Sequence, residues 1–97
     1  MPVAFIQEFA IEDRSTTNYD AISERLRGGP PAEGLIIHTA GFDDDAGVFR
    51  IFDVWGSEEQ VVAFQERVLE LVREMAPADG AGPTRTTIYE LHDVVRT

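Results

Sequence analysis

The chain has no cysteine, no lysine and only one tryptophan. Without cysteine it forms no disulfide, no zinc–thiolate site and no thiol nucleophile. Every basic side chain is an arginine, and 8 of them face 18 acidic residues, for a net charge of −10. Such a surface repels a phosphate backbone, and no basic stripe interrupts it. Nucleic acid and anionic membranes are therefore not expected partners, and the acidity reads as solubility. Long apolar runs are also missing; nothing approaches the ~20 residues of a membrane span. The N-terminal stretch MPVAFIQEFA lacks a basic region and reaches Glu8 before an apolar segment can grow. It does not read as a signal peptide, so the expected setting is soluble and cytoplasmic.

What is present suits one small globule. With 97 residues, 43 % of them apolar and 9 % aromatic, the chain is expected to form a single domain over 1–97. A domain of this size buries only about 60–65 % of its extended-chain surface when it folds alone.

Val3–Phe9 is rich in β-branched and aromatic residues and short, as a strand requires. Thr16, Thr17 and Asn18 offer N-cap oxygens to a helix whose stripe is Tyr19, Ile22 and Leu26. The run Gly28-Gly29-Pro30-Pro31 stops it. LIIHTA (Leu35–Ala40) reads as a second strand, GFDDDAG as a hairpin loop and Val48–Trp55 as a third strand. SEEQ (Ser57–Gln60) matches a capping box, followed by the helical stripe Val61, Phe64, Val68, Leu71, Val72 and Met75 up to Pro77. A fourth strand is expected from about Thr87 to Val95.

The order β-α-β-β-α-β is that of a ferredoxin-like α+β fold. It has a four-stranded antiparallel sheet with two helices on one face. Alternation should then leave the other face polar. It does not: on the third strand both Val48, Arg50, Phe52, Val54 and Phe49, Ile51, Asp53, Trp55 are mostly apolar. The face away from the helices is therefore expected to be covered, most simply by a second copy. Two sheets so paired would make a dimeric α/β barrel enclosing a cavity for a small apolar or aromatic ligand.

Four residues stand out as candidate catalytic or binding groups. Trp55, at the strand-to-helix corner, reads as packing or as a pocket wall beside Asp53. His38, inside a strand, is either a satisfied core or interface histidine or a general acid–base group. His92, expected on the fourth strand, carries the same alternatives. Arg50, among apolar neighbours, needs a carboxylate on an adjacent strand or else holds an anionic or enolate oxygen of a ligand. Tyr19 reads as core. A metal site built from His38, His92 and Asp53 lacks a motif spacing, and Asp43-Asp44-Asp45 lacks the alternation of a calcium loop. No metal and no cofactor is expected.

The junction FDVWGSEEQVVAFQ resembles the W-x-S-x-E corner before the second helix in the dimeric α/β-barrel superfamily. The likeness is to small bacterial proteins of the antibiotic-biosynthesis-monooxygenase (ABM) type. TTNYDAISERL and LIIHTAGF resemble actinobacterial members of unassigned function, and the likeness in element order spans the whole chain. It implies activities from cofactor-independent oxygenation to haem degradation and cyclisation. Haem-degrading members carry a haem-binding histidine on or after the second helix, and none lies between Trp55 and Met75, which speaks against haem. Quinone-forming members use pocket Trp, Asn, Tyr and Arg side chains, to which Trp55 and Arg50 are candidate counterparts.

Three readings follow. One is a cofactor-independent monooxygenase, or a cyclase or isomerase, acting on a small aromatic or polyketide-like substrate. In it His38, His92, Trp55 and Arg50 position and polarise the substrate. The second is a non-catalytic ligand-binding or accessory dimer, and the third a regulatory domain that binds a small effector.

Overall fold

The computed structural model describes residues 1–11, 14–75 and 82–95. The elements run β1 (Val3–Ala10), α1 (Thr17–Arg27), β2 (Leu35–Asp43), β3 (Val48–Trp55), α2 (Glu58–Met75) and β4 (Arg85–Glu90). The strands form one antiparallel sheet in the order β2-β3-β1-β4, the ferredoxin-like arrangement. Among the described residues no helix is long and apolar enough to cross a membrane. The expected helix stop at Pro77 lies outside the described residues.

Two boundaries differ from expectation, each for a reason of pairing. β2 continues to Asp43, so the hairpin turns tightly through residues 44–47, with Gly47 at φ 72°. A positive φ there favours glycine. β4 starts earlier, with Arg85 opposite Glu8, and ends at Glu90 opposite Val3. The alternation of Leu91–Val95 suits a strand, but Pro2, which stands opposite Leu91, has no N–H to donate in return. The last bond, from the Leu91 N–H to the Pro2 carbonyl (2.9 Å), closes the ladder. His92 therefore lies beyond the strand, exposed, and not within it.

At the corner after β3, half of the capping box expected from SEEQ is present: the backbone bond to Ser57, but not a return bond from the Gln60 side chain. The Ser57 hydroxyl accepts from the Gln60 N–H at 3.3 Å, and Glu58 and Glu59 sit in the first turn of α2, where the helix dipole favours negative charge. Gly34 has φ 88°, a conformation that favours glycine, and the mobile amide end of Gln60 lies against it. The Gly56 N–H donates to the Gly34 carbonyl at 2.7 Å, tying this corner to the start of β2.

Residues opposite each other in the register share a face. Val3, Phe5 and Trp55 face the helices and form the core with Val61 of α2, with Ala32, Leu35 and Phe64 packed around them. Trp55 is fully buried, its ring 4.9 Å from that of Phe64. Elsewhere the helical layer stands off the sheet: α1 buries no residue at all, and α2 buries only Val61.

The opposite face divides in two. Ala4 and Val54 are buried near its centre, while Ile37 and Tyr89 on its flanks are about half exposed. At its other end Arg50 donates to Glu8 at 2.7 and 3.0 Å and to Asp43 at 2.7 Å. The Arg50 guanidinium holds the Asp43 carboxyl below the usual carboxylate range. Of the two roles open to Arg50, its carboxylates on adjacent strands supply the structural one.

Candidate active site between the helices and the sheet

The gap left by the stand-off of the helices is a cavity of about 1160 Å³. Its floor is the inner face of the sheet, including Phe5, Phe49 and Ile51, and its roof includes Tyr19 and Ile22 of α1 and Val68 of α2. This cavity lies within one chain, on the helix side of the sheet, and is separate from the one expected between two paired sheets. The inner face of the sheet is apolar because it lines this cavity.

One chain of hydrogen bonds crosses the floor. His38 and Asp53 are directly opposed on β2 and β3, and His38 Nδ1 lies 2.6 Å from Asp53 Oδ1. The other carboxylate oxygen accepts from the Trp55 indole N–H at 3.2 Å. Asp53 is the buried charged side chain of the described core, and both its oxygens are engaged. On the far side of the imidazole, His38 Nε2 lies 2.5 Å from the Tyr19 hydroxyl.

The carboxylate decides the tautomer. It offers only lone pairs, so Nδ1 carries the proton and donates it, and in the neutral ring Nε2 is the acceptor. The Tyr19 hydroxyl donates to that lone pair. Asp53 is held in place by Trp55, and His38 by Asp53, so the proton-accepting nitrogen points away from the core toward α1. This is the arrangement in which a carboxylate orients a histidine and stabilises its charged form.

The pKa of His38 is raised above its ordinary value, chiefly by its hydrogen bond to Asp53. Burial opposes the rise, and the charge of Asp53 adds to it. Because the folded value exceeds the unfolded one of ~6.5, the stabilisation from this pair is complete below pH ~6.5. It is lost as pH rises through the raised value.

The candidates from the sequence separate here. His38 and Trp55 come together at Asp53, so Trp55 is at once a core residue and the donor that fixes the carboxylate. Arg50 does not join them. It lies on the opposite face with Glu8 and Asp43 and is not part of the lining of this cavity. His92, beyond β4, does not line the cavity either. Among the described residues no cluster of His, Cys, Asp or Glu is placed to hold a metal ion.

Two members of the site escaped the sequence reading as such: Asp53, weighed only as a metal ligand, and Tyr19, read as core. Asp53 had a signal. Counting outward from the hairpin, paired positions on β2 and β3 are equidistant from its centre, which sets position 38 opposite position 53. Tyr19 had none, since its contact crosses from helix to sheet.

No protein-family model and no curated protein matches the sequence. The fold does have solved counterparts. Rv0793 of Mycobacterium tuberculosis is 16 % identical with a TM-score of 0.65, over 99 % of this chain and 100 % of that one. A Chloroflexus aurantiacus protein, provisionally described as an antibiotic biosynthesis monooxygenase, is 15 % identical with a TM-score of 0.65, over 99 % and 98 %. SnoaB, a cofactor-independent oxygenase from Streptomyces nogalater solved as a point mutant, is 12 % identical with a TM-score of 0.61, over 99 % and 98 %. At these identities the likeness establishes the fold alone.

Proposed function

We propose that this chain is a cofactor-independent monooxygenase acting on a small aromatic or polyketide-like phenol or enol, with His38 as its general base. The observation that carries the reading is the Asp53–His38 pair at 2.6 Å on the floor of an aromatic-lined cavity. A neutral imidazole with Nδ1–H held by a carboxylate is built to take a proton at Nε2. The oxygenase activity stated for SnoaB supports the reaction class.

In the proposed reaction, Nε2 takes the acidic proton of the bound phenol or enol, and its negative charge delocalises onto carbon. That carbon passes an electron to dioxygen and couples with it to form a peroxide, which recovers the proton from His38. The carbon that bears the hydroperoxide gives up its own hydrogen as the O–O bond breaks, so water leaves, a new carbonyl remains, and one oxygen atom enters the product. Asp53 stabilises the imidazolium while it holds the proton.

The reading predicts a pH profile. Only the neutral ring accepts a proton, so the initial rate rises as pH passes upward through the raised pKa of His38. Asp53→Asn removes the negative charge and leaves at most a neutral amide oxygen as acceptor, which lowers the pKa of His38 and moves that limb to lower pH. It also releases the imidazole orientation, so the plateau rate falls by about 10²-fold or more. Initial rates of oxygen uptake between pH 5 and 9 (a range set by histidine titration) check both. A limb that does not move in the Asn variant contradicts the role of Asp53.

The chain is further proposed to act as a homodimer through the outer face of the sheet, supported by Ile37 and Tyr89 standing half exposed on an apolar surface. Sedimentation equilibrium at micromolar concentration should then return about twice the 10.8 kDa chain mass. Ile37→Glu, placing a charge in the apolar half of that face, should shift the population to monomer. A folded monomer for the native chain contradicts the proposal.

A further inference from the structure

The one lone pair of the proposed base is already taken. A neutral imidazole has a single acceptor nitrogen, and the Tyr19 hydroxyl sits 2.5 Å from it. The two ring planes lie within 7° and their centroids are 6.1 Å apart. That separation is close to the end-to-end limit for a hydroxyl at this distance. The O–H therefore points along the imidazole plane into the lone pair rather than stacking over the ring. The tyrosine ring is itself seated edge-on against Phe49, with centroids 5.4 Å apart at 69°, and Phe49 is braced the same way by Phe42 at 4.9 Å.

We infer that Tyr19 occupies, in the ligand-free protein, the place of the ligand's own hydroxyl-bearing ring, and that a phenol or enol binds by displacing it from His38 Nε2. The inference rests on the reading of His38 as the proton acceptor and adds how that acceptor is guarded. Tyr19 is a phenol on an aromatic wall with its hydroxyl on the base, so its pose is the pose the site offers to a phenolic ligand. Exchange conserves hydrogen bonds: the incoming hydroxyl replaces the outgoing one, and the half-buried Tyr19 turns its own to water. The helix that carries it buries none of its residues, so little packing resists the movement. An aromatic molecule without a hydroxyl gains nothing by the exchange, because it would leave the Nε2 lone pair unpaired. The device thus selects for an ionisable hydroxyl. It lowers apparent affinity by the fraction of molecules in which Tyr19 is seated.

Equilibrium dialysis of the full chain with 2-naphthol and with its methyl ether tests this. Tyr19→Phe keeps the ring and removes the competing hydroxyl, so 2-naphthol should bind about 3- to 10-fold more tightly than to the native protein. The methyl ether should change by less than about 2-fold. Tyr19→Ala, which empties the seat altogether, should move 2-naphthol in the same direction. Weaker or unchanged 2-naphthol binding in Tyr19→Phe overturns the inference, and so does an absence of 2-naphthol binding in every variant. His38→Ala separates the two levels. Loss of the preference for 2-naphthol over its ether upholds the reading of His38, whatever Tyr19→Phe does. Retention of that preference removes the reading, and the inference about Tyr19 with it.

Discussion

His38→Ala is expected to lower oxygen uptake with polycyclic phenols by about 10²- to 10⁴-fold, the usual contribution of a positioned general base. Among the described residues no other group is placed to replace it. His92 lies outside the cavity, and Arg50 is held on the opposite face by Glu8 and Asp43. Asp53 is buried beneath the imidazole, with one oxygen committed to Trp55. Removing the ring also leaves Asp53 Oδ1 without its donor, so the variant must first be shown to keep the native circular-dichroism spectrum. A folded His38→Ala protein that consumes oxygen at the native rate contradicts the catalytic reading. It would favour the non-catalytic dimer that captures a ligand passively.

Trp55→Ala should produce the largest loss of stability of any single substitution in the core. The indole is fully buried against Phe64 and among Val3, Phe5 and Val61. Removing such a ring costs about 3–5 kcal/mol through lost transfer energy and the cavity left behind. In a chain of this length each kcal/mol moves the midpoint by about 4–8 °C, so thermal unfolding should fall by about 12–40 °C. The deletion also strips Asp53 Oδ2 of its donor, which adds the cost of an unsatisfied buried acceptor. Trp55→Phe separates the two parts, since it restores most of the apolar volume but not the N–H. Thermal circular dichroism reads both variants. A Trp55→Ala midpoint within a few degrees of native would show that the corner is not the anchor of the core.

The architecture was legible because it is local. Periodicity places the helices, turn residues bound the strands, and their order specifies the sheet. The end of β4 was not, because Leu91–Val95 alternates like a strand, and it is Pro2, without an N–H to pair with Leu91, that tells against its continuing. The side on which the cavity lies was not legible either. An apolar face looks the same in sequence whether it is packed, lines a cavity or awaits another chain. Only the absence of buried residues on α1 identifies the inner face as a cavity wall. Within the site, His38 and Trp55 drew notice as unusual residues in their strands. Asp53, the carboxylate that joins them, is visible only through the hairpin register, and Tyr19 only through the packing of α1 over β2.

Nitrogen-15 NMR of the imidazole tests the central claim most directly, because it reports tautomer and titration of His38 together. The account predicts a neutral ring protonated at Nδ1, a pKa above the ~6.5 of a free histidine, and a drop in that value in Asp53→Asn. A neutral ring protonated at Nε2, or a pKa at or below the free value, would contradict it.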